Sequence, residues 1–242
     1  MRTETFGGLR TRVMGGTDGK GGGDGPVVVL LHGFGAPGED LVPFGSALGL
    51  PRDVRFLFPA APLSLDDQGM FGGRAWWHID MERLQLAIMT GQLRDLSGEV
   101  PEGMPAARER VLALLDEVER TLGAAPERTI LGGFSQGAML ACDVALRAER
   151  QLAGLVLLSG TLLCEHEWRP LMPRRRGLRV FQSHGAVDPL LPFALAERLR
   201  DALVEAGVDL DWVAFRGGHE IPPAVLARLQ TFLRSLTAPA RS

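Results

Sequence analysis

A chain of 242 residues, 45% hydrophobic and 23% charged, is long enough to bury a large core and has the balance of an ordinary globular protein. The formal net charge of -3, with no basic arm beyond the short run Arg174-Arg175-Arg176, argues against a nucleic-acid partner, and that run is expected to be solvated surface. No apolar run approaches the ~20 residues of a membrane span, and the N-terminus lacks a signal-peptide core, so a cytoplasmic protein without stable membrane insertion is expected.

In chain order, a first strand is expected near Leu9–Met14, followed by a flexible Gly-rich turn, GGTDGKGGGDG (15–25). That turn lacks the spacing of a phosphate loop. Val27–Leu31 is a continuous apolar, β-branched run, the pattern of a strand buried on both faces of a parallel sheet. Residues 54–59, 129–134, 154–159 and 179–184 repeat it, and 210–215 is a more alternating version. Helix-spaced apolar stripes occupy Ala106–Leu122, Gln136–Arg147, Phe193–Ala206 and Pro223–Leu236. The segment 62–103 is long for a connection and is expected to carry one helix around Met81–Leu96. Strands alternating with helices imply an α/β fold, a mostly parallel sheet with helices on its faces. Ligands of such sheets bind beyond the C-terminal strand ends. Residues 1–242 read as a single domain.

The stretch TILGGFSQGAML (129–140) puts Gly133-Phe134-Ser135-Gln136-Gly137 where a strand turns into a helix. This is the G-x-S-x-G elbow, which lifts a serine hydroxyl above the sheet while the glycines let helix and strand pack closely. Ser135 is therefore the expected nucleophile, and it needs a general base. His219, in FRGGHEIPP after the last strand, is the one histidine downstream of Ser135 with a strand and an acid between. The acid is expected at Asp188, in the turn HGAVDP, over its rivals Asp201, Asp209 and Asp211. Two backbone N–H groups should hold the oxyanion. Gln136, next to the nucleophile, supplies one and Phe34, in LLHGFGAPGED, the other. His32 is expected to brace that loop. No metal or cofactor is required, and Cys142 and Cys164, without metal-ligand spacing, are expected as small buried hydrophobes.

With those residues in place, the chain resembles the phospholipase/carboxylesterase family of α/β-hydrolases, which includes the acyl-protein thioesterases. The resemblance rests on LLHGFGAPGEDLVPF, FPAAP, GGRAWWHID, GGFSQGAML, LSG, HGAVDPLLP and GGHEIPP, in that order. It implies an α/β-hydrolase fold without a large cap and cleavage of carboxylic esters, thioesters or lysophospholipids. It also implies Ser135, Asp188 and His219 as triad, Phe34 and Gln136 as oxyanion donors, and, more weakly, a homodimer. The family commonly has Phe-Asp where this chain has Trp77-His78. Met70, Phe71, Trp76 and Trp77 either line an apolar acyl slot or serve only packing; Arg74 and His78 either meet a polar leaving group or brace the surface. Two other readings stay open. One is a dienelactone hydrolase-like enzyme, which usually carries cysteine as nucleophile; the other is a non-catalytic binding protein on the same fold.

Overall fold

The computed structural model describes residues 1–90 and 95–238, apart from the Ile88 side chain. Among the described residues, the central sheet has eight strands in the order β1 (Arg2–Phe6), β2 (Leu9–Gly15), β4 (Arg55–Pro59), β3 (Val27–Leu31), β7 (Thr129–Phe134), β8 (Gly154–Leu158), β9 (Arg179–Gly185), β10 (Asp209–Phe215). From β4 to β10 every neighbouring pair is parallel, while the β1–β2 and β2–β4 pairs are antiparallel. The expected α/β architecture, a mostly parallel sheet flanked by helices, is the one observed.

Strand periodicity builds the two faces. Val27, Val29 and Leu31 join one apolar cluster and Val28 and Leu30 the other, because successive side chains point to opposite sides of a sheet. The first cluster is covered by α3 (Met104–Leu122), α4 (Gln136–Arg147), α5 (Glu165–Trp168) and α6 (Phe193–Glu205). The second is covered by α7 (Pro223–Thr237), with Phe44 of the short α1 (Phe44–Ala47) packed at its margin. A sheet buried on both sides explains why its inner strands read as unbroken apolar runs.

Two features differ from the sequence expectation. The polar stretch RTETF forms the edge strand β1, with only Phe6 buried. An edge strand buries one face at most, so its apolar signal is too thin to read. The Gly-rich turn is also not a free hinge. The Asp18 carboxylate accepts the N–H groups of Lys20 and Gly22 at 2.7 and 2.8 Å. The buried Arg55 guanidinium donates to the carbonyls of Gly23, Gly25 and Leu122, tying the turn to the end of α3.

The segment 62–103 holds a small hairpin, β5 (Leu63–Ser64) with β6 (Arg74–Ala75), followed by α2 (Met81–Thr90). The expected helix around Met81–Leu96 starts where predicted; part of its second half, residues 91–94, lies outside the described residues. No helix among the described residues is long and apolar enough to cross a membrane.

Candidate active site

The elbow is built by close backbone approach. A Cβ on Gly133 would lie 2.5 Å from the Gly137 carbonyl carbon and 2.6 Å from Leu31 O, and one on Gly137 would lie 2.1 Å from Leu31 O. Only glycine fits either position. Ser135 sits between them at φ 55° and ψ -118°, a strained conformation for a residue with a side chain. Such backbones cost about 1–3 kcal/mol and persist where the surroundings enforce them. Here the Ser135 N–H is held by Leu158 O at 2.8 Å, and the Ser135 carbonyl accepts from Ala138 and Met139. A serine at a helix start ordinarily caps the first turn with its hydroxyl; the Ser135 hydroxyl makes no such bond.

His219 lies on the loop between β10 and α7, its ring centroid 4.9 Å from that of Phe134, the residue before Ser135. Its Nδ1 donates to Asp188 Oδ2 at 2.7 Å. A carboxylate can only accept, so Nδ1 carries the hydrogen, and in the neutral ring Nε2 is the nitrogen with the lone pair. Asp188, buried at the end of β9, accepts through Oδ1 from the N–H groups of Leu190 and Leu191 at 2.8 and 3.0 Å. Burial pushes its carboxyl upward, but the His219 bond and charge and these two donors outweigh it and hold it below the usual carboxylate range.

The Phe34 loop is set against the elbow. Gly33 approaches so closely that a Cβ there would lie 3.3 Å from Ser135 Cβ. The buried His32 donates from Nδ1 to Gly33 O at 2.7 Å and accepts the Ala61 N–H on Nε2 at 2.9 Å. It braces the loop as a neutral ring, consistent with burial lowering its pKa. Arg74 of β6 pairs through its backbone with the Gly35 N–H and the Ala36 carbonyl.

A cavity of about 690 Å³ opens over Ser135 and His219. Phe34 and Gln136 line it, as do apolar side chains that include Trp77, Ile79, Leu84, Met139, Leu163 and Leu191. Of the four expected slot residues the structure brings only Trp77 to this wall. Trp76 is packed beneath it, its indole N–H on His32 O at 2.9 Å. Met70 lies against the loop at Gly35, and Phe71 is 89% exposed between β5 and β6. His78 is on the cavity rim, paired with Gln68. Helix α2 supplies Met81, Arg83, Leu84 and Gln85, which sequence reasoning did not single out. Their helical spacing was visible; the face they turn to the cavity was not.

Residues 20–237 match the family described as phospholipase/carboxylesterase. The chain belongs to that family. Among curated relatives, acyl-protein thioesterase 1 of Cryptococcus neoformans is 30% identical over 184 residues, covering 74% of this chain and 72% of the relative. Acyl-protein thioesterase 1 of Neurospora crassa is 27% identical over 218 residues, covering 85% and 84%. Among solved structures, esterase PE8 superposes with a TM-score of 0.77 at 28% identity, over 93% of this chain and 97% of that one. A carboxylesterase from Mesorhizobium loti shares the fold at a TM-score of 0.73, with 17% identity over 96% and 99% of the two chains. This phospholipase/carboxylesterase family member is therefore a hydrolase of the esterase type.

Proposed function

We propose that the protein is a serine esterase that cleaves carboxylic esters through Ser135, His219 and Asp188, with thioesters and lysophospholipids within reach of the same chemistry. The observation that carries this is the strained Ser135. Its hydroxyl is spared from capping and borders the cavity that also contains His219, itself bonded to a buried carboxylate.

His219 Nε2 takes the Ser135 proton as Oγ attacks the substrate carbonyl carbon. The N–H groups of Phe34 and Gln136 receive the oxyanion. The C–O or C–S bond then breaks, the leaving group takes the proton from His219, and an acyl-enzyme remains. Water, deprotonated by the same imidazole, hydrolyses it and returns Ser135. Asp188 keeps the imidazole in the Nδ1–H tautomer and balances the imidazolium. We read residues 1–242 as one catalytic domain in which 62–103 shapes the acyl slot. A homodimer, carried from the family, remains a proposal for gel filtration.

The test is hydrolysis of p-nitrophenyl esters from acetyl to palmitoyl, with Ser135→Ala alongside. Activity is expected to depend on chain length in a graded way, each methylene changing selectivity by ~1–3 kcal/mol at most. The Ser135→Ala variant should lose at least ~10³-fold in kcat/KM. A variant as active as the parent would reject the triad. A parent inert toward every ester and toward a fluorophosphonate would point to a binding protein on this fold.

A further inference from the structure

The carboxylate assigned to the triad has a second imidazole beside it. His184, the penultimate residue of β9, is fully buried, and its Nε2 lies 3.4 Å from Asp188 Oδ2, the oxygen that accepts from His219. The stronger contact of His184 is to the Leu191 carbonyl, at 2.9 Å from the same Nε2. A carbonyl only accepts, so Nε2 carries the hydrogen.

Leu191 therefore faces both ways. Its carbonyl accepts from His184 and its N–H donates to Asp188 Oδ1. Imidazole, Leu191 peptide and carboxylate form a closed set of contacts at the end of β9. The turn that carries Asp188 is short, with Pro189 following directly. Its first half is tied to β10 and the His219 loop by the Ala186 N–H on Phe215 O at 2.8 Å and the Val187 N–H on Gly217 O at 3.1 Å, with the Asp188 N–H on Gly185 O at 3.2 Å, and its second half is held by this ring of contacts.

The Gly160 backbone lies close to the His184 ring, and Nδ1 meets no partner in hydrogen-bond geometry among the described residues. The polar contacts of this buried ring that meet hydrogen-bond or ion-pair distance are those of its Nε2. Burial also disfavours the charged form of this ring, and the hydrogen-bond pattern needs only the neutral one.

We propose that His184 is a positioning residue: its Nε2–H fixes the Leu191 turn and shares Asp188 Oδ2, so that the carboxylate stays aimed at His219. The inference rests on the triad reading. It predicts that an N–H at the Nε2 position is the property that counts, whatever the ring. Glutamine places its amide nitrogen near the Nε2 position of histidine, asparagine near the Nδ1 position, and leucine places no donor at all.

The experiment compares His184→Gln, His184→Asn and His184→Leu on p-nitrophenyl acetate, a substrate too short to report on the acyl slot. Ser135→Ala is measured beside them. Small displacements of a catalytic group cost up to ~10²-fold, so kcat should fall ~10–100-fold in the Leu and Asn variants with KM within about 2-fold of the parent, and Gln should recover most of it. The low-field proton NMR signal of a hydrogen-bonded imidazole Nδ1–H should be kept in Gln and broadened or lost in Leu and Asn. Equal losses in Gln and Asn, or a parental kcat and signal in Leu, would overturn the role of His184 while an inactive Ser135→Ala left the triad standing. An active Ser135→Ala would overturn both. Should the Leu variant fail to fold, the Gln and Asn pair carries the same contrast.

Discussion

Gly33 and Ser135 stand so close that adding one methyl group to the glycine would bring two Cβ atoms to 3.3 Å. The same methyl would lie 3.2 Å from Phe134 Cδ1. The loop proposed to hold the oxyanion and the elbow proposed to hold the nucleophile are thus packed directly on each other.

Gly33→Ala should therefore separate activity from stability. The elbow cannot yield, because Gly133 and Gly137 are already at contact with the Leu31 carbonyl. The Phe34 loop must shift by a few tenths of an ångström. A loss of ~10-fold or more in kcat is expected from misplacing one oxyanion donor. The urea midpoint should move little. Kinetics and urea unfolding on the same preparation check both halves.

Gln136 holds the cavity wall with its side chain. Oε1 accepts the Trp76 N–H at 2.9 Å and Nε2 donates to Trp77 O at 2.8 Å, all of it buried. Gln136→Met keeps the shape and the backbone N–H but orphans both backbone groups. A loss of about 2–6 kcal/mol in unfolding free energy is expected, from ~1–3 kcal/mol for each of the two unsatisfied groups. Chemical denaturation measures it, and tryptophan fluorescence should report a loosened wall.

Stability should fall on mild acidification. His32 and His184 both have pKa values lowered by burial, partly offset by their carbonyl partners and nearby carboxylates. For a histidine the unfolded value is about 6.5. The unfolded chain therefore binds these protons first as pH drops. The stabilisation is complete above pH ~6.5 and is lost as pH falls through the folded values, with a slope of at most ~1.4 kcal/mol per pH unit for each ring. Asp40, whose carboxyl is raised by burial, acts in the opposite sense at lower pH. Urea midpoints between pH 8 and 5 should show the decline, and His32→Asn, which keeps a donor for Gly33 O, should flatten it.

The two cysteines should be inert in the folded protein. Cys142 and Cys164 are fully buried. Burial pushes the Cys164 thiol up to about 12, and Cys142 is raised well above its ordinary value. The thiolate is the reactive form. A thiol-specific chromogenic reagent is expected to find no fast-reacting group in the native state and 2 thiols in denaturant. A fast native reaction would contradict the packing around α4 and α5.

How much was legible follows from how each feature is encoded. The inner strands β3, β7, β8 and β9 could be placed because burial on both faces forces an unbroken apolar run. The elbow could be placed because strand, G-x-S-x-G and helix follow one another directly in the chain, although the backbone that its glycines accommodate includes that of Leu31. Ser135 and its helix are local in that sense. The edge strand β1 was not legible, since a half-exposed strand needs few apolar side chains.

Other features depend on contacts between distant segments. Trp76 and Trp77 are adjacent and equally aromatic, yet one is pinned beneath the wall by His32 O and the other faces the cavity. Gln136, about 60 residues further along, fixes the backbone of both, and His32 O holds the Trp76 indole. The same holds for His184. Its place in HGAVDP shows an imidazole near the acid, but the 2.9 Å bond to the Leu191 carbonyl exists only once the chain after β9 has turned back. The sequence by itself determined the α/β alternation, the family, and the candidates for nucleophile, base and acid, because these are carried by contiguous apolar runs and short motifs. Tertiary structure alone decided which side chains bound the cavity and what holds Asp188, because those depend on hydrogen bonds between segments that meet only after folding.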